Sequence, residues 1–478
     1  RSPLTAHRSP LTAHRSPPPA FLPHAPSLTP SLAPHLPPHP SAGAYDAIVA
    51  LKWIKANIAF FGGSPRDVTL FGQSSGSYLT CTLSASPAAA GLFSRAILES
   101  GPCIGGPPGR GWGPGNLTRG LTIAAEVMAA HNVTDVAGLR SISDASTIQW
   151  PDYLMNDLDV APYFSGYFED ELLASEPLEA YWARGTIHPT ALIIGHNSKD
   201  GTAAFYGTAP TIGMVPPDPK QTGAAAYTAA LTKAWGARLG VIIGSHYSLD
   251  RFNGSAQAAY MQADADAYVI CPAFALARHA ATNNRSVWSY EFAHFQPGRA
   301  GGEEPAGGGC DNGVELDVVS PTDRSANRLW ATHGAETSYV WSTPYGQDGL
   351  GPPNNITNCS FTHEEAVLSQ VMMTYWANLA AHGDPNGDPN GHTNTGAQSV
   401  QILGGRAEAG DTAAQGRSSK PPASWPEYGG GGSVVRPTQL LTTDGDGGIA
   451  PIPQLREADC SFWERLWAKE GGVVSYGE

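Results

Sequence analysis

The chain lacks any long hydrophobic run. No window of about 18 consecutive residues is apolar, so the sequence predicts no transmembrane segment. The chain opens on Arg1 without the basic, apolar and small-residue sections of a signal peptide, and without an initiator methionine. We therefore expect an N-terminally incomplete sequence.

A basic cluster is also missing. The 28 Lys and Arg residues are outnumbered by 42 Asp and Glu residues, which gives a formal net charge of -14. Because this charge repels phosphate groups, nucleic acids and anionic membranes are not expected partners. Small molecules or proteins are the expected partners.

The size and composition favour a globular α/β protein. With 478 residues, 41% of them hydrophobic, the chain can bury a large core. Six cysteines permit disulfides but establish no pairing,. Six Asn-x-Ser/Thr sequons, against roughly two or three expected by chance, favour a secretory origin, although chance sequons in a cytosolic protein stay open. The sequons begin at Asn116, Asn132, Asn253, Asn284, Asn355 and Asn358.

The first 41 residues differ from the rest. They begin with a tandem RSPLTAH repeat and continue as a Pro-rich run without a buried face. Such a composition cannot offset its ordering entropy, which predicts disorder. Five histidines lie here without cysteine or carboxylate partners, so no metal site is expected. The folded domain is expected over residues 42–478.

The remaining sequence alternates between helical and strand patterns. Residues 44–61 have helical spacing, with Ile48, Leu51, Trp53 (or Ile54) and Ile58 on one face. The GGSP that follows at 62–65 is expected to end the helix,. The segments VTLF (68–71), AILES (96–100), ALIIG (191–195) and VWSYEF (287–292) read as strands,. This alternation predicts a mostly parallel sheet with flanking helices.

Three glycine-rich or polar segments interrupt this pattern, at 297–309, 383–422 and 429–432. They are expected to be surface insertions. Between them lies a predicted helix, with Val367, Val371, Thr374 (or Tyr375) and Asn378 on the stripe that packs against the sheet,.

The motif GQSSG surrounds Ser74. A Gly-x-Ser-x-Gly match alone is weak, since roughly half an occurrence is expected by chance. Here, however, VTLF precedes it and a helix can start at Tyr78, as in a nucleophile elbow. Gly72 and Gly76 are expected to permit close backbone approach in the strained turn. Ser74 is therefore a candidate nucleophile.

A serine nucleophile needs a base and an acid, in the order Ser, Asp/Glu, His. Asp200 follows the strand ALIIG, and His333 follows VWSYEF. From the pattern alone, a turn-forming aspartate and a structural histidine remain equal alternatives.

From about Gly43 onwards the chain resembles the type B carboxylesterases, the cholinesterase-like branch of the α/β-hydrolases. The matching segments include VTLFGQSSGS, LFSRAILESG, IIGHNSKDG, ATHGAETSYVW and CSFWERL, in the family's order. The resemblance implies an α/β-hydrolase fold, Ser74 as nucleophile, His333 as base and acid, and Asp200 as the carboxylate that orients it. It implies ester hydrolysis through an acyl-enzyme, without metal or cofactor. Many members carry glutamate where Asp200 stands.

The resemblance also indicates segments that this chain lacks. Family members carry edge strands and a His-Gly-Gly-Gly oxyanion segment near the N-terminus, whereas residues 1–41 contain no Gly-Gly pair. The N–H of Ser75 is the one identifiable oxyanion donor. Missing strands would expose a sheet edge and apolar surface.

The cysteines divide into three pairs. Cys271 and Cys460 match positions that are disulfide-bonded in cholinesterases. Cys81 and Cys103 lie near Ser74 in sequence and are expected to be free, while Cys310 and Cys359 flank the His333 segment and could pair.

Gln73 bears on the expected substrate. Cholinesterases carry glutamate before the nucleophile, and a neutral amide gives choline no charge attraction. We therefore expect a carboxylesterase or lipase that acts on small neutral esters, and the sequons favour a secretory location. A non-catalytic adhesion relative and an inactive fragment are the alternatives.

Overall fold

The computed structural model describes residues 42–104, 117–144, 147–148, 178–200, 223–294, 331, 333–343, 361, 363–388, 424–429, 436–442 and 448–469. The expectations for residues 1–41, for the segments 297–309, 389–422 and 430–432, and for Cys310 and Cys359 lie outside these residues. The sequons at Asn116, Asn355 and Asn358 also lie outside them.

The elements of the described residues alternate along the chain. The strands are β1 (Thr69–Gln73), β2 (Arg95–Glu99), β3 (Ala191–Asn197), β4 (Ser286–Phe292), β5 (Pro437–Leu441) and β6 (Ala450–Pro453). The helices are α1 (Ala42–Asn57), α2 (Ser75–Ala85), α3 (Leu117–Ala130), α4 (Val136–Arg140), α5 (Leu178–Ala183), α6 (Ala224–His246), α7 (Ala256–Ala265), α8 (Cys271–Thr282), α9 (Thr337–Val340), α10 (His363–His382) and α11 (Glu457–Lys469). A π-helical turn, Asp266–Ile270, joins α7 to α8.

The strands form one sheet in the order β1-β2-β3-β4-β5-β6. Strands β1 to β5 pair in parallel, and β6 pairs antiparallel with β5. The four strands predicted from the sequence match β1 to β4 within two residues. The predicted α/β class is thus confirmed. Strands β5 and β6 did not stand out in the sequence, because Pro437, Pro451 and Pro453 lie in them.

Two apolar clusters cover the two faces of the sheet. Leu98 and Leu192 point into one cluster, together with residues of α1, α2 and α6 to α8. Ile97 and Ile193 point into the other, where α10 packs. The switch at successive residues follows from the two-residue side-chain period of a strand. All of β3 is buried, as expected for a central parallel strand.

The predicted inward face of α1 is confirmed with Ile54, the stated alternative to Trp53, whereas that of α10 needs correction. In α1, Ile48 and Leu51 are buried as predicted, but Trp53 is 47% exposed, and Ile54 takes the inward position. In α10 the buried face lies about one residue further along the chain than the predicted stripe. Of the residues predicted for that stripe, only Tyr375 is buried. The buried face consists of Glu365, Leu368, Ser369, Met372, Tyr375, Trp376 and Leu379. Valines at 367 and 371 mislead because buried Glu365 and Ser369 look polar in sequence.

Strand β1 lies at the edge of the described sheet and pairs with β2 alone. Its Phe71 is 39% exposed and contacts exposed Trp341, with ring centroids 5.6 Å apart. An edge strand leaves one side open, which explains this exposure.

Two disulfides occur among the described cysteines. One joins Cys271 of α8 to Cys460 of α11, the pair that the resemblance implied. The other joins Cys81 of α2 to Cys103, which corrects the expectation that these two are free. Both side chains are fully buried, because the loop after β2 folds back onto α2.

Candidate active site

Ser74 occupies the sharp turn between β1 and α2. Its φ of 56° and ψ of -121° lie outside the usual regions for a non-glycine residue,. The Ser74 N–H donates to the Glu99 carbonyl at 2.9 Å, and the Ser74 carbonyl accepts from Tyr78 N–H at 2.9 Å. These bonds hold the strained turn between β2 and α2.

One of the two motif glycines is required sterically. A Cβ on Gly72 would lie 2.5 Å from the carbonyl carbon of Gly76, whereas a Cβ on Gly76 would meet nothing within 4 Å. The expectation for Gly76 was therefore wrong. Instead, Gly101 is tightly packed, since its Cβ would lie 2.3 Å from the Ser74 carbonyl oxygen.

Ser74, His333 and Asp200 come together from three segments that are distant in sequence. The Ser74 hydroxyl lies 2.7 Å from His333 Nε2, and His333 Nδ1 lies 2.6 Å from Asp200 Oδ1. With the proton on Nδ1, the ring donates to the carboxylate, and Nε2 accepts from the serine hydroxyl. The arrangement has the geometry of a nucleophile, a base and an orienting acid.

Asp200 is fully buried, yet its surroundings favour the charged form. Burial raises the pKa of this carboxyl. The His333 charge and the hydrogen bonds from His333, Ser100 and the Asn197 N–H lower the pKa by more than burial raises it, so it lies below its usual value,. The Asn197 N–H donates to Oδ2 at 2.8 Å. Asp200 is thus poised to stabilise an imidazolium.

Backbone bonds hold the loop that follows β3, residues 198–200, which we call the acid loop. Ser198 N–H donates to the Phe292 carbonyl at 2.9 Å, and Lys199 N–H donates to the Ala331 carbonyl at 3.0 Å. The acid loop is therefore fixed to the end of β4 and to the segment before His333.

A buried carboxyl pair below the triad was not found from the sequence. Glu336 accepts from the Asn197 side-chain amide at 2.5 Å and from the Ser100 hydroxyl at 3.4 Å, and Glu99 accepts from the Trp376 indole N–H at 2.8 Å. Burial, with nearby Asp200 and Glu99, raises the pKa of Glu336 well above its usual value, and burial raises the pKa of Glu99 to about 7. Only the position of Glu336, three residues after His333, hinted at a role.

Gln73 and Ser75 flank the nucleophile. The Gln73 amide nitrogen lies 3.4 Å from His333 Nε2, so this side chain borders the reacting atoms. Ser75 is the first residue of α2, and N–H groups of a first helical turn have no partner within the helix. Such groups stabilise developing negative charge.

The described residues contain no group of three His, Cys, Asp or Glu side chains that could hold a metal ion. None of the helices in the described part of the chain is long and apolar enough to cross a bilayer.

A parallel sheet with a strand, a sharp serine turn and a helix defines the α/β-hydrolase class. Two solved structures share this fold: a thermophilic PNB esterase (TM-score 0.56, 20% identity) and a PNB esterase (TM-score 0.53, 21% identity). Each covers 88% of this chain and has 68% of its own length matched.

The chain belongs to the carboxylesterase family, whose sequence pattern matches residues 41–415. Human cocaine esterase is 27% identical over 76% of this chain, and mouse carboxylesterase 5A is 26% identical over 72%. The matches cover 58% and 53% of those proteins, so the chain spans about half the length of these relatives.

Proposed function

We propose that this chain is a serine hydrolase that cleaves carboxylic esters through an acyl-enzyme. The observation that carries the proposal is the hydrogen-bonded series from Ser74 Oγ through His333 to Asp200. Family membership supports the same reaction.

Ser74 attacks the ester carbonyl while His333 Nε2 takes the hydroxyl proton. Asp200 stabilises the imidazolium, and the tetrahedral oxyanion is stabilised by the Ser75 N–H. The alcohol leaves with the proton from His333. Water then attacks the acyl-enzyme with His333 again as base, which releases the acid and restores Ser74.

We propose small neutral esters as substrates. Gln73 lies beside His333 with an uncharged amide, and an amide offers a quaternary ammonium no Coulomb attraction. We expect p-nitrophenyl esters to be hydrolysed with a higher kcat/KM than choline esters, and a clear choline preference would contradict this assignment.

A fluorophosphonate probe tests the nucleophile directly. The folded chain should be labelled on Ser74, and Ser74→Ala should abolish both label and hydrolysis. Ser64→Ala, at an exposed serine, is the matched control and should keep both. Well-folded protein without Ser74-dependent label would favour a non-catalytic relative or an inactive fragment.

We further propose passage through the secretory pathway. Two buried disulfides support this, since disulfides persist in oxidising compartments,. Asn132, Asn253 and Asn284 support it too, because these sequons lie in exposed turns. Treatment of the natural protein with peptide N-glycosidase should lower its mass. An unchanged mass would show that no accessible sequon is glycosylated.

A further inference from the structure

The segment between β6 and α11 sends one side chain beneath the acid loop. Arg456 has a φ of 55° and a side chain only 15% exposed. Its Nη2 donates to the Ser198 carbonyl at 3.1 Å, and its Nε donates to Glu291 Oε2 at 2.9 Å. Arg456 thus contacts the loop that carries Asp200, two residues before the carboxylate.

The anions around Arg456 are themselves fixed. Glu291 lies on β4 beside Phe292, whose carbonyl accepts from Ser198 N–H. Asp266 lies 3.7 Å from Arg456 Nη1 and accepts from the Tyr247 hydroxyl at 2.8 Å and the Gln262 amide at 2.9 Å. The guanidinium is therefore held by groups of β4 and of the π-helical turn.

The positive charge of Arg456 lies between the two buried carboxyl groups of Glu291 and Asp266. Burial raises the pKa of Glu291, but Arg456 and His196 outweigh it, and the pKa lies below its usual value. Burial raises the pKa of Asp266 to about 6 against the opposing effect of Arg456. The cluster needs a permanent cation, which a guanidinium supplies.

The backbone on the other side of Arg456 is also anchored. Cys460 N–H donates to the Arg456 carbonyl at 2.9 Å, and Cys460 is joined to Cys271 of α8. Since both ends of its side chain are fixed, Arg456 links the Ser198 carbonyl to the C-terminal segment.

We propose that Arg456 positions Asp200, the carboxylate that orients His333. It holds the Ser198 carbonyl so that Asp200 Oδ1 stays in hydrogen-bonding contact with His333 Nδ1. This inference depends on the proposed esterase function. Displacement of a catalytic group by about 1 Å can lower a rate by about 100-fold, so a loose acid loop would reduce turnover without changing the substrate contacts.

Arg456→Lys tests this positioning because an ammonium keeps the charge but lacks the rigid planar fork that directs Nε at Glu291 and Nη2 at Ser198,. We expect kcat to fall roughly 10- to 100-fold while KM changes less than about two-fold. The acid limb of the pH-rate profile should move to lower pH, because a displaced carboxylate stabilises the imidazolium less. Arg456→Met should show a larger effect if it folds.

Arg278→Lys is the matched control. Arg278 of α8 pairs with Glu464 of α11, so this ion pair ties the C-terminal helix to α8. The variant should retain wild-type kcat and pH profile at a comparable loss of thermal stability. If folded Arg456→Lys behaves like Arg278→Lys in both, Arg456 is merely structural and the inference is wrong.

A readout that needs no turnover separates this inference from the proposed function. The low-field proton resonance of His333 Nδ1–H reports its bond to Asp200. It should shift or broaden in Arg456→Lys and persist in Arg278→Lys. Wild-type protein that neither labels nor hydrolyses esters would refute the proposed function, and the resonance comparison would then decide the role of Arg456 alone.

Discussion

Gln73 is an uncharged side chain beside the Ser74–His333 hydrogen bond. Its amide lies 3.4 Å from His333 Nε2, close enough for a carboxylate at the same place to stabilise the imidazolium. An opposite charge within about 4–6 Å favours the charged form by roughly one to three pH units.

Gln73→Glu should therefore move the acid limb of the pH-rate profile upwards by about one pH unit. It should also raise the ratio of kcat/KM for choline esters over neutral esters, because a carboxylate attracts the cation. Profiles of both substrates with wild type and variant measure this. An acid limb that stays in place would mean that residue 73 does not face the imidazole during catalysis.

Glu99 illustrates a buried acid whose cost depends on pH. Its carboxyl accepts a hydrogen bond from Trp376 and lies near Tyr290 and Glu336, and burial raises its pKa to about 7 from 4.5. A raised acid binds its proton more tightly when folded, so its contribution to stability is full below pH 4.5 and is lost as pH rises through 7.

Glu99→Gln should remove this loss. The difference in unfolding free energy, variant minus wild type, should rise by about 3 kcal/mol between pH 4.5 and 7. Denaturant unfolding at several pH values measures it, with exposed Glu457→Gln as control. A difference that stays flat with pH would show that Glu99 is ionised in the fold across this range.

At the scale of elements, the contact between α2 and the loop after β2 determines the nucleophile turn. Gly101 touches Ser74, Ser77 and Tyr78, and Ser77 Oγ donates to the Gly101 carbonyl at 3.0 Å. Cys103 is bonded to Cys81 of the same helix. A side chain at position 101 must push backbone atoms apart, since the Ser74 carbonyl oxygen and the Tyr78 nitrogen lie under 3.0 Å from its Cβ.

Gly101→Ala should lower the free energy of unfolding by about 1–3 kcal/mol and slow labelling of Ser74. Gly76 lies in α2, and a Cβ at this position would have open space around it. Gly76→Ala should therefore leave the free energy of unfolding unchanged or raise it slightly, because alanine is the better helix former. Chemical denaturation of both variants gives the comparison. Equal stabilities for the two would contradict the packing argument.

Some of these elements could be predicted from the sequence and others could not. Strands β1 to β4 and the approach of Ser74, His333 and Asp200 to one another could be predicted, because runs such as ALIIG are continuous and the motifs of the resembled family surround these three residues. The buried face of α10 and the Glu336 cluster could not, because they depend on polar residues that find partners only in the fold. The Cys81–Cys103 bond likewise depends on the path of the loop after β2.

At the scale of the whole molecule, two disulfides constrain very different lengths of chain. Cys81 and Cys103 are 22 residues apart, while Cys271 and Cys460 are 189 residues apart. The longer loop contains β4, β5 and β6, and its disulfide joins α11 to α8. In the chain-entropy view, a crosslink stabilises more as the loop that it closes lengthens.

Replacement of Cys271 and Cys460 by alanine should therefore cost about 2 kcal/mol more unfolding free energy than replacement of Cys81 and Cys103. Both pairs are buried and lose the same atoms, so each double variant is the control for the other. Equilibrium denaturation of the oxidised proteins measures the difference. If the short-loop variant loses as much or more, native packing around Cys81 outweighs loop entropy, and the nucleophile helix rather than the C-terminal closure limits the stability of the fold.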